Sequence, residues 1–231
     1  MNMKFLSAAA FATATMVAAP AMATTVIFDD FTGTQQAVDT PFPGSSNSDT
    51  VAFNSGTRTL NVTNIQNNGL DVAATSLQVA SGALSFSNAD QATGTGELVY
   101  TNVGDIQLDD DPSRSFFLFD VGVFDAVAQF SVTATDGNGF VSTFSETLLP
   151  GFDPQLFFSE FAGTADFNDI ATLSFSIDSE NVPFFGPQFA LDGSLNSISI
   201  GAVPLPASGI LLIGALGGVA AMRRRKAQKK A

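Results

Sequence analysis

The sequence contains no cysteine, no histidine and no tryptophan, and only one tyrosine, Tyr100. Without cysteine there is no thiol nucleophile, no thiolate metal site and no disulfide, and a domain of this size can dispense with bridges. Without histidine the usual nucleophile–base triads, imidazole general bases and zinc sites are excluded. Paired-carboxylate glycosidase chemistry survives formally, because Glu97, Glu146, Glu160 and Glu180 are present. In so acidic a chain the expectation for each of them is solvated surface, and no catalytic residue is expected. The shortage of Trp and Tyr also removes the rings that most often stack on sugars at an open sheet face.

Lysine is scarce where it matters most. Between Thr24 and Ala202 there is none, and Arg58 and Arg114 stand alone against 22 carboxylates, a net charge of −20. That charge keeps a domain soluble and repels nucleic acid and acidic polymers over about 10 Å at 0.1 M salt. No nucleic-acid partner is expected. An acidic polysaccharide would have to be bridged by divalent cations, and a salty or calcium-containing medium is sufficient explanation for the acidity.

Both ends carry targeting patterns. Met1 to Ala23 reads as a secretory signal peptide: Lys4 supplies the positive start, Phe5 to Ala19 the apolar middle, and Ala21-Met22-Ala23 the small-x-small cleavage site. Export through the Sec machinery and signal peptidase would leave a mature chain beginning at Thr24. At the other end, Pro204 and Pro206 block helix propagation from upstream, and Ala207 to Met222 is free of charge. As a helix, that run reaches about 24 Å. Leu205 and snorkelling basic side chains close the gap to the ~30 Å hydrocarbon core. Arg223, Arg224, Arg225 and Lys226 then act as the stop-transfer signal. The pattern predicts one C-terminal transmembrane helix with residues 24–202 outside the cytoplasm.

Val203-Pro204-Leu205-Pro206-Ala207, then Gly209 with the apolar segment, then Arg223 to Arg225, resembles the PEP-CTERM type of sorting signal in its VPLPA variant. The resemblance covers the stretch from Val203 to Ala231. It implies recognition by an exosortase, a membrane-embedded transpeptidase-like enzyme with a catalytic cysteine. It further implies cleavage of the tail and delivery of the body to the surface of a Gram-negative bacterium that makes exopolysaccharide. An unprocessed C-terminal membrane anchor is the plain alternative.

The body, residues 24–202, reads as a single all-β domain, an antiparallel β-sandwich of some ten strands. Leu60 and Val62 alternate with Thr59, Asn61 and Thr63; Phe130, Val132 and Ala134 with Gln129, Ser131 and Thr133; Leu173, Phe175 and Ile177 with Thr172, Ser174 and Ser176. Asp136-Gly137-Asn138-Gly139 predicts a hairpin between Ala128–Thr135 and Phe140–Thr147. Phe116 to Val123 predicts a central strand buried on both faces. Asp39 to Thr50 predicts a loop that packs no core, Asn67-Asn68-Gly69 a turn, and Gln188 to Ile200 a strand pair turning at Asp192-Gly193. The body's phenylalanines suit the core, each bringing apolar area without a polar atom to satisfy. The opening FDDF and closing FALDGSLNSISI resemble jelly-roll domains of the carbohydrate-module kind, which implies that first and last strands lie side by side.

Asp109-Asp110-Asp111 concentrates oxygen ligands of the kind Ca²⁺ takes, with a charged surface turn as the plainer reading. Asp29 and Asp30 face opposite sides of a strand unless it ends or bulges there. Exposed phenylalanine can stand in for tryptophan at a sugar site, and Pro183-Phe184-Phe185-Gly186-Pro187 is the place to look, although a core plug is the expectation for that pair. The leading reading is a non-enzymatic cell-surface or extracellular-matrix protein, structural or adhesive within exopolysaccharide, needing no cofactor. A calcium-assisted carbohydrate-binding module is the alternative, and a glycosidase the third.

Overall fold

Alternation of apolar and hydroxyl-bearing residues at a period of two dominates the body, and strands form wherever it runs. The computed structural model describes residues 24–39, 44–67, 75–90, 92–151, 154–187 and 190–203. The first strands are β1 (Thr24–Asp29), β2 (Gln35–Val38), β3 (Ser46–Phe53), β4 (Gly56–Asn67) and β5 (Thr75–Ala80). They are followed by β6 (Ala83–Asn88), β7 (Ala92–Gly104), β8 (Ser115–Phe124), β9 (Ala128–Asp136) and β10 (Val141–Leu148). Short β11 (Gln155–Phe157) and β12 (Ala162–Gly163) flank a single 3₁₀ turn, and β13 (Ile170–Asp178) and β14 (Asp192–Ala202) complete the set.

Every pairing among the described residues is antiparallel. The first sheet runs β11-β8-β14-β6-β5-β2, with β1 also on β14; the second runs β12-β10-β9-β13-β7-β4-β3. Strand β14 is long enough to hold two neighbours along one edge. Asp192–Leu195 pair with β6 and Ile198–Ala202 with β1, while β8 follows the other edge. First and last strands therefore do lie side by side, Thr24 opposite Ala202.

The core lies between the two sheets. Phe117 and Phe119 of the first sheet meet Phe175 of the second, each at 5.6 Å between ring centroids, and Phe119 meets Phe130 edge-on at 5.2 Å. Phe158 and Phe167 stack at 4.4 Å and close one side. A buried side chain of this size contributes about 1.5–3 kcal/mol relative to exposure. Ala23–Val203 clusters as one compact unit and contains every residue of this core.

The alternating segments and the Asp136–Gly139 hairpin fold as predicted, with β9 and β10 in register from Thr135–Val141 to Ala128–Leu148. Four expectations are corrected. Strand β8 is buried on both sides only from Ser115 to Phe117; Leu118, Asp120, Gly122 and Val123 are exposed, because among the described residues no layer covers that face. The stretch Asp39–Thr50 is not all loop: Asp39 is buried, and β3 begins at Ser46. Asp192-Gly193 is not a turn but the start of β14. Gly193 is required there because a Cβ would sit 2.5 Å from the Phe124 ring. The fourth concerns Phe184 and Phe185, treated with the site below. A hairpin between β5 and β6 was not anticipated; it turns on Ser81-Gly82, both with positive φ (55° and 78°), the type I′ geometry that glycine makes easy.

Among the described residues no helix is long and apolar enough to cross a membrane. The predicted signal peptide with Ala21 and Ala23, the turn at Asn68-Gly69, Pro204 to Ala207, the apolar run and Arg223 to Lys226 all lie outside the described residues.

Candidate functional site

Antiparallel register turns the outer face of the second sheet into a grid. One row across six strands is Ser48, Asn61, Glu97, Ser176, Ser131 and Ser145. The next is Thr50, Thr59, Val99, Ser174, Thr133 and Thr143. Outside these, Ser46, Thr63, Thr95, Asp178, Gln129 and Thr147 form one flanking row, and Ala52, Thr57, Thr101, Thr172, Thr135 and Val141 the other. Rows of this kind repeat at about 4.8 Å across strands and about 7 Å along them.

Hydroxyls bond to one another across the strands: Thr50 to Thr59 and Thr57 to Thr101, both at 2.9 Å. Gln129 donates to Ser145 at 2.6 Å and accepts from Thr147 at 3.2 Å. Such pairs contribute about 0.2–1 kcal/mol each and hold the side chains in fixed rotamers. The two acids on the face are satisfied locally. Glu97 accepts from Asn61 at 3.0 Å and from Ser174 at 2.5 Å, and Asp178 accepts from the side chain of Asn181 at 2.8 Å. A body of net charge −20 thus keeps one broad face hydroxylated and nearly uncharged.

A concavity of about 600 Å³ lies where β1 meets the β3–β4 turn, lined by Phe28, Asp30, Thr34, Phe53 and Asn54. Its floor is polar. Arg58 Nη1 donates to both oxygens of Asp29, at 3.0 and 2.9 Å, and Arg58 Nε donates to Gln35 at 3.0 Å. The Tyr100 hydroxyl donates to Asp29 as well. Burial, with the Asp29 carboxylate beside it, pushes the Tyr100 phenol well above the usual tyrosine range. The Arg58 guanidinium lies 6.0 Å from the Phe31 ring centroid and 5.8 Å from that of Phe53. Asp29 from the first sheet thus bonds to Arg58 and Tyr100 of the second, and the network clamps the two sheets.

The predicted site residues are placed as follows. Asp109 and Asp111 both turn to Arg114, at 2.6 and 3.4 Å, while Asp110 is exposed. The hydroxyl and N–H of Ser113 hold the Asp111 carboxyl below the ordinary range. Among the described residues no three acidic side chains converge as a metal site. Asp29 is buried and Asp30 exposed; a register shift between Ile27 and Asp29 marks the bulge that lets Phe28 and Asp29 both face inward. Asp136 serves as a turn acceptor for the N–H groups of Asn138 and Phe140, both at 2.9 Å, and of Asp166 at 3.0 Å. Glu97, Glu146, Glu160 and Glu180 are spread over β7, β10, the 3₁₀ turn and the segment after β13. The Phe184–Phe185 pair corrects the core-plug expectation. Phe184 is fully exposed and Phe185 is 55% exposed, because the loop turns outward at Phe184 with φ 68°. Val203, first residue of the expected sorting motif, is the last described, and Thr24 opens β1.

No protein-family model matches the chain, and no curated protein sequence matches it. Solved structures are similar at a low level. The structure of PfGH50B is 11% identical with a TM-score of 0.41, over 57% of this chain and 22% of that one. The agarase AgWH50C is 10% identical with a TM-score of 0.40, over 62% and 25%. This chain therefore spans about a quarter of the length of those two. The family 11 carbohydrate-binding module of the cellulosomal cellulase Lic26A-Cel5E of Clostridium thermocellum is 13% identical with a TM-score of 0.38, over 79% and 97%. These likenesses concern general β architecture and carry no argument about a ligand.

Proposed function

We propose that the chain is a non-catalytic, exported β-sandwich that associates with neutral polysaccharide at the cell surface through the hydroxyl face of its second sheet. The observation that carries this reading is the grid itself: fixed hydroxyl and amide side chains with almost no charge, in a body that is acidic elsewhere. A neutral polyhydroxylated chain can exchange hydrogen bonds with that face without desolvating an ion, the step that makes charged surfaces costly to cover. The sandwich reads as the jelly-roll-like type, on the pairing of β1 with β14. Residues Val203 to Ala207 and Arg223 to Arg225 would supply delivery, through an exosortase-like enzyme. Calcium enters only as the bridge by which so acidic a body could meet an anionic polymer.

Retention of the Ala23–Val203 segment on insoluble neutral glucan, on agarose and on calcium alginate tests the reading. Retention on a neutral matrix, insensitive to EGTA and reduced at least tenfold in the Thr59→Lys/Thr133→Lys variant, is expected. No retention on either neutral matrix, or retention unchanged in the variant, would sink it. For delivery, the intact mass of surface-recovered protein should begin at Thr24 and lack Arg223 to Arg225.

A further inference from the structure

An unpaired strand edge presents N–H and C=O groups that template another strand, and folded proteins blunt such edges by shortness, charge or proline. The other edges here follow that rule. Strands β2, β11 and β12 have four, three and two residues, and β3 shows Ser46, Asn47 and Ser48 to solvent with Asp49 beside them. Strand β1 does not. It has six residues, pairs among the described residues with β14 alone, and carries neither a charged side chain nor proline from Thr24 to Phe28. Val26 is 51% and Ile27 64% exposed. Thr24 to Ile27 are all exposed, and among the described residues no second strand pairs with that edge.

Val26 and Ile27 point to opposite faces of the strand. A ligand laid on either face would cover one and leave the other wet. Only a partner lying in the plane of the sheet, strand against strand, covers both. The charge of the stretch selects the partner. A basic strand would find carboxylates over much of this surface but only the exposed Asp30 beside β1, whose neighbour Asp29 is neutralised by Arg58. The uncharged run Thr24 to Phe28 complements a strand like itself.

We infer that β1 is a self-association edge. Two copies pair antiparallel about a two-fold axis through Val26 or Ile27, joining their first sheets into one continuous sheet. In that register every residue faces one on the same side of the sheet: the residue on the axis covers its own counterpart, while with the axis at Val26 Ile27 lies against Thr25, and with the axis at Ile27 Val26 lies against Phe28. Isologous two-fold pairing is the commonest way for identical chains to close. The two acidic bodies repel, so the dimer tightens as salt rises, opposite to an ion-paired interface.

Sedimentation equilibrium of the Ala23–Val203 segment, whose core is complete, tests this, with the full chain in detergent micelles as a parallel sample. A monomer–dimer equilibrium is expected that tightens as NaCl rises from about 10 to about 150 mM, shortening the Debye length from ~30 to ~8 Å. The Val26→Lys/Ile27→Lys variant should weaken it at least tenfold, with an unchanged circular dichroism spectrum. The absence of cysteine gives a second readout. Antiparallel partners have Cα atoms about 4.5–5.5 Å apart, within disulfide range. Val26→Cys or Ile27→Cys, whichever lies on the axis, should therefore cross-link to a dimer on mild oxidation, and Val123→Cys, also exposed, should not. A monomer at about 1 mM, the weak end of specific association, would overturn the inference. So would a dimer indifferent to the lysine variant, or cross-linking equally fast at Val123.

Discussion

Arg58 and Asp29 join the two sheets through one nitrogen. Arg58 Nη1, from β4, lies 3.0 and 2.9 Å from the two carboxylate oxygens of Asp29, from β1. Both side chains are buried, so their attraction acts where water does not screen it, and each would be costly alone. Replacing Arg58 with Ala should remove about 3–5 kcal/mol, since it leaves a buried carboxylate uncompensated. The double variant Arg58→Met/Asp29→Leu should lose less than the single one. Urea unfolding of the three proteins measures both; a double variant no better than the single would show that the pair is not the source of the cost.

Tyr100 is the only tyrosine and there is no tryptophan, so its ionisation can be followed alone by ultraviolet absorbance. Its phenol is held neutral above the usual range, chiefly by burial and then by Asp29. The folded state therefore keeps a proton that the unfolded state gives up at about pH 10. Stability from this group is complete below that pH and falls as pH rises through the higher folded value. Phenolate absorbance should appear together with loss of the fold, and early, reversible ionisation in the native state would contradict it.

Asp136 has the opposite sign. N–H groups of Asp166, Phe140, Asn138 and Gly139 stabilise its charged form and hold its carboxyl below the ordinary range. Its contribution is present above the unfolded carboxyl value of about 3.9 and is lost as pH falls through the lower folded one. An Asp136→Asn variant should show a shallower stability loss between about pH 4 and pH 2 than the parent. An acid limb of the same slope would place that loss on other carboxylates.

Two phenylalanines give contrasting outcomes. Phe117 is fully buried among Phe119, Phe158, Phe161 and Phe175, and Phe117→Ala should cost about 3–5 kcal/mol. Phe184 is fully exposed with φ 68°, a conformation that strains an L side chain by about 1–2 kcal/mol. Phe184→Gly should leave stability unchanged or raise it by up to about 1 kcal/mol. A loss approaching that of Phe117→Ala would return Phe184 to the core.

Gly193→Ala should destabilise by about 1–3 kcal/mol through overpacking against Phe124. Adding Phe124→Leu should recover part of that loss, and thermal unfolding of the pair decides it. No recovery would mean that the glycine is needed for backbone reasons instead.

Much of the sandwich was legible because alternation is a local property. Val62 beside Thr63, or Phe175 beside Ser174, states which side chain faces the core whatever the neighbouring strand is. The hydroxyl grid was half visible for the same reason: each segment shows an outward Ser/Thr series, but the rows exist only once six strands are set in register. The Phe184–Phe185 loop misled because its composition is that of a core plug, and nothing local records that the chain turns outward there.

The sequence by itself determined the all-β character, the inward and outward faces of the alternating strands, the Asp136–Gly139 turn and the uneven placement of charge. Those follow from side-chain chemistry and a two-residue period. Only the tertiary structure decided that Asp29 meets Arg58 and Tyr100, that Arg114 gathers Asp109 and Asp111, and that β1 pairs with β14. Such partnerships depend on which distant strands close on one another, and on a one-residue bulge that reverses a side chain. Short-range pattern carries no information about either.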